Sequence, residues 1–198
     1  MGLGLKYIMG QTPIDEDEQE GLLISTIATQ AELNEFEQQN IEDALQWAMS
    51  RNFTPEQVFS ERFVCEVHKR MFGTVWSWAG IFRTTNKNLG VDKHQISVEL
   101  KKLLDDALYW VEHNTYTPDE LAIRFKHHIV SIHCFPNGNG RHSRFMGDVI
   151  VEKLFGQEHF SWGAKNLSAD NEARAAYLKA VRAADRGDFK PLLTFARS

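Results

Sequence analysis

A glycine-bracketed turn between two helical segments is the strongest constraint in this sequence. Residues 133–144 read His-Cys-Phe-Pro-Asn-Gly-Asn-Gly-Arg-His-Ser-Arg. Apolar residues recur at helical spacing before this run, and they recur after it at Phe145, Met146, Val149, Ile150 and Leu154. The run therefore predicts a helix, a tight turn, and a second helix that begins at Gly-Asn-Gly.

The chemistry of the same run is that of an anion site with a base beside it. The first N–H groups of a helix lack partners within it, and the helix dipole adds partial positive charge there. Arg141 and Arg144 are three residues apart, so both side chains leave one face of the first turn. Guanidinium groups can grip phosphate oxygens in pairs, and the imidazole of His133 titrates near neutral pH. The pattern predicts a polyphosphate site served by a general base.

Helix start signals recur along the rest of the chain. Thr29 with Glu32, Thr54-Pro55 with Gln57, and Thr117-Pro118 with Glu120 each have the pattern of a helix N-terminus. They predict one helix after residue 29, one from 54 to about 73, and one that ends at His133. Further helices are expected over about 98–111, after Ser168, and over 189–195. The first helix is expected to bury the apolar residues Leu33, Phe36, Ile41, Ala44, Leu45 and Ala48.

Residues 81–96 interrupt this helical pattern. They carry turn-forming residues, among them Asn86, Asn88 and Gly90, and they follow a tryptophan pair, Trp76 and Trp78. We predict a small β-hairpin flap here, whose edge could pair with an extended peptide of a partner. A surface loop without a special role is the alternative. The predicted fold class is all-α, a helical bundle with this flap.

Composition bounds the remaining choices. The chain of 198 residues suits one compact domain, and we expect an irregular N-terminal arm over residues 1–28 and a domain over 29–198. A formal net charge of −5 argues against direct nucleic-acid binding. Two cysteines, Cys65 and Cys134, make no disulfide framework, and no apolar run is long enough for a membrane. We expect a cytoplasmic protein with no membrane partner.

Residues 133–144 closely resemble the signature of the Fic family, His-x-Phe-x-(Asp/Glu)-Gly-Asn-Gly-Arg-x-x-Arg. One fixed position differs, because Asn137 stands where the family has a carboxylate. Residues 75–83 resemble the Trp-Ala-Gly…Arg stretch that leads into the family's target-docking flap, and residues 177–193 resemble its last helices. The similarity covers residues 29–198, and the chain is most similar to the small Fic proteins called mobile mystery protein B.

This resemblance implies the Fic fold and the transfer of AMP from ATP to a hydroxyl side chain of another protein. It implies that His133 is the general base and that Phe135 anchors the loop. It assigns the nucleotide phosphates to Gly138, Asn139, Gly140, Arg141 and Arg144. It assigns docking of a target Ser, Thr or Tyr to flap residues Thr84, Thr85, Asn86 and Asn88.

Asn137 and the lack of a clear inhibitory motif lead to two further expectations, one on magnesium binding and one on regulation. The family's carboxylate holds magnesium, whereas Asn137 offers an uncharged oxygen, so we predict weak magnesium binding and slow transfer. The family's inhibitory glutamate motif has no clean match here. We predict that Glu35 or the acidic N-terminal arm reaches Arg144, or that a separate antitoxin-like protein regulates the enzyme.

Competing interpretations remain open at this point. A catalytically weak or idle Fic fold would bind a nucleotide or a partner without transfer, and such a protein could act as a toxin under antitoxin control. Phosphotransfer, as in the related Doc proteins, is a second alternative, although Gly138 and Arg141 favour AMP transfer. Arg144 could also form a plain surface pair with Asp148, four residues on. A Cys134–His133 nucleophile pair is disfavoured, because adjacent helical residues point about 100° apart.

Overall fold

The structure is a computed structural model, and it describes residues 19–163 and 170–198. Eight α-helices have these bounds within the described residues: α1 (Gln30–Met49), α2 (Pro55–Val58), α3 (Glu61–Phe72), α4 (Ile96–Glu112), α5 (Pro118–Ile132), α6 (Asn139–Val149), α7 (Asp170–Ala184) and α8 (Lys190–Arg197). A short 3-10 helix, Lys93–Gln95, precedes α4, and a π-helical turn, Ile150–Leu154, extends α6. The all-α prediction is confirmed. The expectations for residues 1–18 and for a helix start at Ser168 lie outside the described residues.

The helix N-termini form where the sequence signals predicted them. Thr29 and Thr54 each complete a capping box, with Glu32 and Gln57 returning a hydrogen bond to the cap backbone. Thr117 accepts a hydrogen bond from the Glu120 N–H and begins α5. These contacts lie within four residues, so local sequence is sufficient to fix them.

The helix predicted from residue 54 to about 73 is in fact two helices. Phe59 leaves helical geometry with φ −91° and ψ 49°, and Ser60 then caps α3 by accepting from the Phe63 N–H. Phe59 is buried against Phe125, at 5.2 Å between ring centroids. The break therefore turns an aromatic side chain into the core.

The buried face of α1 differs from the predicted apolar stripe. Phe36 and Leu45 are 46% and 41% exposed, whereas the buried residues are Leu33, Glu37, Asn40, Ala44 and Ala48. These five positions follow intervals of four, three, four and four, which is the helical period. Glu37 and Asn40 are polar, so an apolar pattern alone passes over them.

The core surrounds α5, which packs against α4 on one side and α6 on another. Leu121, Ala122, Ile123 and Phe125 of α5 are fully buried. Helix α6 also packs against α3, and α8 packs against α7 and α5. This arrangement brings the end of α5, the start of α6 and the side of α1 together around the glycine turn.

The flap is a loop instead of the predicted β-hairpin, since residues 81–92 contain no strand. The backbone N–H groups of its two arms bond to a third segment instead of to each other. The Arg83 N–H donates to the Cys134 carbonyl at 3.0 Å, and the Val91 N–H donates to the Ile132 carbonyl at 3.3 Å. Because the backbone groups of the arms are used in this way, they do not form a two-stranded ladder.

The last residues of the expected N-terminal arm are tied to the body of the fold. The Leu23 N–H donates to the Val75 carbonyl and the Ser77 N–H to the Gly21 carbonyl, both at 2.8 Å. Leu22 and Trp76 form an isolated antiparallel bridge. None of the helices in the described part of the chain is long and apolar enough to cross a bilayer.

Candidate active site

His133 terminates α5 in a left-handed conformation. Its φ and ψ are 59° and 61°, and its N–H still donates to the Ile129 carbonyl. The ring atom Nδ1 lies 3.3 Å from the Val130 carbonyl oxygen, which can only accept a hydrogen bond. That contact favours the tautomer with the proton on Nδ1 and the lone pair on Nε2. The ring therefore presents the atom that a general base needs.

Burial sets the protonation state of His133. The side chain is 5% exposed, and desolvation lowers its pKa to about 4, with smaller contributions from the positive charges of Arg83 and Lys87. The hydrogen bond to Val130 acts in the opposite direction on the pKa. At neutral pH the imidazole is uncharged and able to accept a proton. A bound polyphosphate would raise this pKa, since negative charge favours the imidazolium form.

The turn after His133 is held by one asparagine and one phenylalanine. The Asn139 side chain accepts from the Phe135 N–H at 3.0 Å and donates to the Phe135 carbonyl at 2.8 Å. Both residues are buried, so the Asn139 amide shapes the loop from inside and faces away from any ligand. Gly138 has φ +75°, and a Cβ there would lie 2.6 Å from a Phe72 ring atom. Glycine is therefore required at this position.

His68, which sequence reasoning did not single out, supports the turn from below. Its ring stacks on Phe135 at 3.7 Å, and its Nδ1 accepts from the Gly80 N–H at 2.9 Å. Nε2 must then carry the proton, which it donates to the Asn137 carbonyl at 3.0 Å. Complete burial holds the pKa of His68 well below its usual value, so the neutral form persists. His68 thus ties the tryptophan-rich segment to the turn.

The start of α6 has the open geometry of an anion site. Gly138 is the N-cap and supplies no side-chain hydrogen bond to the helix N-terminus. The first N–H groups of a helix have no intrahelical partner, so those of α6 remain for a ligand or water. A Cβ added at Gly140 would meet no atom within 4 Å. The turn therefore has both room for an anion and backbone N–H groups that can bind it.

The donor set at Asn137 does not fit a magnesium ion. Its side-chain oxygen accepts from the neighbouring Gly138 N–H at 2.6 Å, and it carries no charge. Over the described ranges, no group of three or more His, Cys, Asp or Glu side chains could hold a metal. Magnesium prefers carboxylate oxygen, so this loop offers it little.

Arg141 is paired with a buried carboxylate of α1. Its Nη1 lies 2.6 Å from Glu37 Oε2, while Glu37 Oε1 accepts from the Trp76 indole N–H at 2.7 Å. Glu37 is 5% exposed, and the Arg141 side chain is 35% exposed with its guanidinium over the Phe72 ring. Glu35, by contrast, lies on the exposed face of α1. The carboxylate of this helix that meets a signature arginine is therefore Glu37.

Arg144 is not engaged by Asp148, which answers one alternative from the sequence. Asp148 accepts from the Trp162 indole N–H at 3.0 Å and from the Phe160 N–H at 3.1 Å. Burial raises the pKa of that carboxyl to about 6. The Arg144 guanidinium lies 5.8 Å from the ring centroid of Tyr177 and has no ion pair with any residue in the described parts of the chain.

A buried lysine lies beside Arg144. Lys126 Nζ bonds to the Tyr177 hydroxyl at 2.6 Å, and desolvation lowers the pKa of this fully buried amine. The same tyrosine ring thus contacts both cations, one by its hydroxyl and one by its face. This contact joins α5 and α7 next to the first turn of α6.

The flap passes directly over His133. A Cβ at Gly90, where φ is +104°, would lie 2.6 Å from His133 Cβ. Thr84, Asn86 and Asn88 are exposed, and Thr85 is partly buried. Asn86 also shapes the flap, because its side chain accepts from the Lys93 N–H at 2.8 Å. Ile81 and Leu89 expose 58% and 50% of their surface nearby.

His142, His127 and Cys134 have structural surroundings. His142 is buried with Nε2 3.0 Å from the Val64 carbonyl oxygen, and His127 contacts Asp185 at 2.8 Å. Burial raises the pKa of the Cys134 thiol to about 12, which removes its nucleophilic form at neutral pH. The Cys134–His133 interpretation therefore has no support.

Known proteins match part of this chain in sequence. Residues 58–151 match the Fic/DOC family. The protein adenylyltransferase fic-1 of Caenorhabditis elegans is 26% identical over 140 residues, which are 67% of this chain and 25% of that protein. This chain thus spans about a quarter of the length of that relative.

Solved structures share the fold at low sequence identity. The BepC protein of Bartonella tribocorum, with bound AMPPNP, superposes with a TM-score of 0.67 at 17% identity, covering 92% of this chain and 97% of that one. The N-terminal Fic domain of a putative cell filamentation protein of Bartonella quintana, with bound ADP, gives 0.66 at 16% identity, covering 87% and 86%.

An all-helical domain in which a glycine turn joins a histidine-ended helix to an arginine-bearing one is a Fic fold. Residues 58–151 therefore carry a Fic/DOC family domain. The sequence pattern indicates the turn and its arginines, but it does not indicate Glu37 or His68. The interrupted stripe on α1 could have indicated Glu37, because position 37 continues the buried helical period. For His68 no comparable signal is present, since its partners are backbone atoms of distant segments.

Proposed function

We propose that this protein transfers AMP from ATP to a Ser, Thr or Tyr hydroxyl of another protein. The observation that carries the proposal is the order of groups along one turn: a neutral histidine whose Nδ1 faces the Val130 carbonyl, so that Nε2 carries the lone pair, then a helix N-terminus with open space, then two arginines. The C. elegans relative, named a protein adenylyltransferase, supports the same reaction type.

The reaction replaces one bond at the α-phosphorus of ATP with another. The target hydroxyl oxygen forms a bond to the α-phosphorus of ATP while the bond from that phosphorus to the bridging oxygen breaks. Pyrophosphate leaves with the electron pair, and the hydroxyl proton goes to Nε2 of His133. The N–H groups at Asn139 and Gly140 and the guanidinium groups of Arg141 and Arg144 stabilise the charge that develops on phosphate oxygens. The Gly138 N–H would join them on leaving the Asn137 side-chain oxygen that it contacts in this structure.

In this proposal the target protein docks on the flap. Thr84, Asn86 and Asn88 are exposed there, and the exposed side chains of Ile81 and Leu89 add apolar surface that a bound peptide could cover. The flap's contact with His133 would bring a docked hydroxyl near the base. Regulation by a separate antitoxin-like protein, and inhibition by Glu35 or the N-terminal arm, stay predictions.

Labelled ATP tests this function directly. Protein from a cell extract is incubated with ATP labelled at the α position or, separately, at the γ position. AMP transfer is expected to label a target only from the α position, whereas phosphotransfer would label it only from the γ position. His133→Gln should abolish labelling while nucleotide binding persists, because it removes the proton acceptor and leaves the anion site intact.

The second candidate is a nucleotide-binding module with little or no transfer. Two observations favour it, the engaged and uncharged Asn137 oxygen and the carboxylate already bound to Arg141. Saturable ATP binding without label on any protein, from either labelled position, would support this candidate and contradict the enzyme.

A further inference from the structure

One buried guanidinium bonds to three backbone carbonyls that belong to two different segments. Arg83 is 3% exposed, and its Nε donates to the His133 carbonyl at 2.6 Å. Its Nη1 donates to the Thr85 carbonyl at 2.8 Å, and its Nη2 donates to the Val91 carbonyl. Thr85 and Val91 lie on the two arms of the flap, so Arg83 holds both arms and His133 at once.

Backbone contacts repeat the same connection on either side of His133. The Arg83 N–H bonds to the Cys134 carbonyl, and the Val91 N–H bonds to the Ile132 carbonyl. Gly90 packs so closely on His133 that no side chain fits between them. The flap thus contacts residues 132, 133 and 134, and Arg83 supplies the central contact.

The conformation of His133 explains why such support matters. A left-handed backbone is disfavoured for a residue with a Cβ, and it persists where surrounding contacts hold it. The His133 carbonyl points to the guanidinium of Arg83 in this conformation. Rotation of the His133 backbone toward ordinary helical values would redirect that carbonyl and would also swing the imidazole.

We propose that Arg83 is a positioning residue that couples the flap to the imidazole of His133. A peptide docked on the flap and the base that acts on its hydroxyl would then be held in one fixed relation. Arginine suits this role because its planar fork donates in several fixed directions, whereas a lysine ammonium cannot span the same three carbonyls. The catalytic consequence rests on the proposed function, but the coupling itself does not.

The test compares Arg83→Lys with a matched control, Arg124→Lys. Arg124 is partly buried and pairs with Glu120 on α5, away from the flap. In Arg83→Lys, hydrogen exchange of the Val91 amide should quicken by about tenfold, which corresponds to the loss of one good contact. The His133 ring resonances, assigned with His133→Gln, should shift, and their titration should move toward that of an ordinary histidine. Arg124→Lys should change neither quantity.

Transfer kinetics give the functional side of the same test. In Arg83→Lys we expect kcat to fall by about ten- to a hundredfold while KM for ATP stays within about twofold, because the phosphate groups are untouched. A parallel rise of KM for ATP, or a fall of kcat equal to that of Arg124→Lys, would overturn the proposal.

Gly90→Ala provides a second variant that leaves Arg83 in place. Its Cβ would meet His133 Cβ, so the His133 resonances should shift again even though the guanidinium is intact. If Arg83→Lys and Gly90→Ala both retain the wild-type His133 titration and Val91 exchange, the coupling is wrong. If the wild-type protein transfers no label, the proposed function fails, yet the resonance and exchange data still decide the coupling.

Discussion

Arg141 is already paired with a carboxylate where a phosphate is expected to bind. The 2.6 Å contact with Glu37 occupies Nη1, and the buried Glu37 is further fixed by the Trp76 indole. A phosphate must therefore compete with a preorganised anion for this guanidinium. Removing the carboxylate charge should favour the phosphate, provided that the indole keeps its acceptor.

Glu37→Gln is expected to tighten nucleotide binding. The amide oxygen can still accept from Trp76, but Arg141 loses its charged partner, so Kd for ATP should fall by about three- to tenfold. Titration calorimetry with ATP measures this change. The control is Glu35→Gln, an exposed glutamate of the same helix. A stronger effect in Glu35→Gln than in Glu37→Gln would instead favour the inhibitory role predicted for Glu35.

Asn137→Asp is expected to strengthen magnesium binding and to quicken AMP transfer. The new carboxylate can keep the hydrogen bond from the Gly138 N–H, and it adds the negative charge that a hard cation prefers. Magnesium titrations in the presence of ATP, followed by single-turnover transfer assays, measure both effects. Unchanged magnesium affinity and unchanged transfer would show that the asparagine is not the reason for weak metal binding.

At the scale of elements, local sequence predicted where helices begin better than it predicted where they break and how the flap folds. The capping residues Thr29, Thr54 and Thr117 contact groups at most four residues away, so these starts follow from sequence. The break at Phe59 and the loop form of the flap depend on partners far along the chain. Phe59 packs on Phe125, and the flap arms bond around residue 133. Such contacts leave no local pattern.

Thr117→Ala should destabilise the helix that ends at His133. The Thr117 hydroxyl accepts from the Glu120 N–H, and loss of an N-cap of this kind costs about 1 kcal/mol. Urea unfolding should show a lower midpoint with an unchanged slope. Thr115→Ala, at an exposed threonine just outside the helix, is the matched control and should leave the midpoint in place. An equal loss in both variants would exclude the cap as the cause.

At the scale of the whole molecule, the fold keeps five histidines uncharged. Burial lowers the pKa of His133 and His142 to about 4, and it also lowers those of His68, His127 and His128. Unfolding restores values near 6.5, so the unfolded chain binds more protons below that pH. Stability from these groups is therefore present above pH 6.5 and is lost as the pH falls toward 4.

The free energy of unfolding should therefore decrease between pH 6.5 and 4. His133 and His142 each contribute up to about 1.4 kcal/mol per pH unit over this range, and the lowered pKa values of the other three histidines act in the same direction. Asp148, whose pKa is raised to about 6, opposes the trend with one group of the reverse sign. Urea titrations at a series of pH values measure the slope. His142→Gln should make the slope shallower by about one histidine's share. A protein that grows more stable on acidification over this range would contradict the assignment.

Like the fold, the candidate site has residues that local sequence predicts and residues that only tertiary packing brings together. His133, Gly138, Gly140, Arg141 and Arg144 lie in one short run, so sequence reasoning could group them. The partner of Arg141 lies 104 residues earlier, on the side of α1, and His68 lies 69 residues before the carbonyl that it holds. Their positions follow from how α1 and α3 pack against α6, which no local period encodes.

Gly140→Ala should have opposite effects on the stability of the fold and on the binding of ATP. Its backbone is helical and the space beside it is empty, so alanine should fit without strain and should raise the melting temperature, as alanine is the better helix former. If that space is where a triphosphate rests, the same methyl group should exclude it and weaken ATP binding. A more stable fold together with weaker ATP binding would show that the open space beside Gly140 is functional, and that it is kept open by a residue unfavourable to its helix.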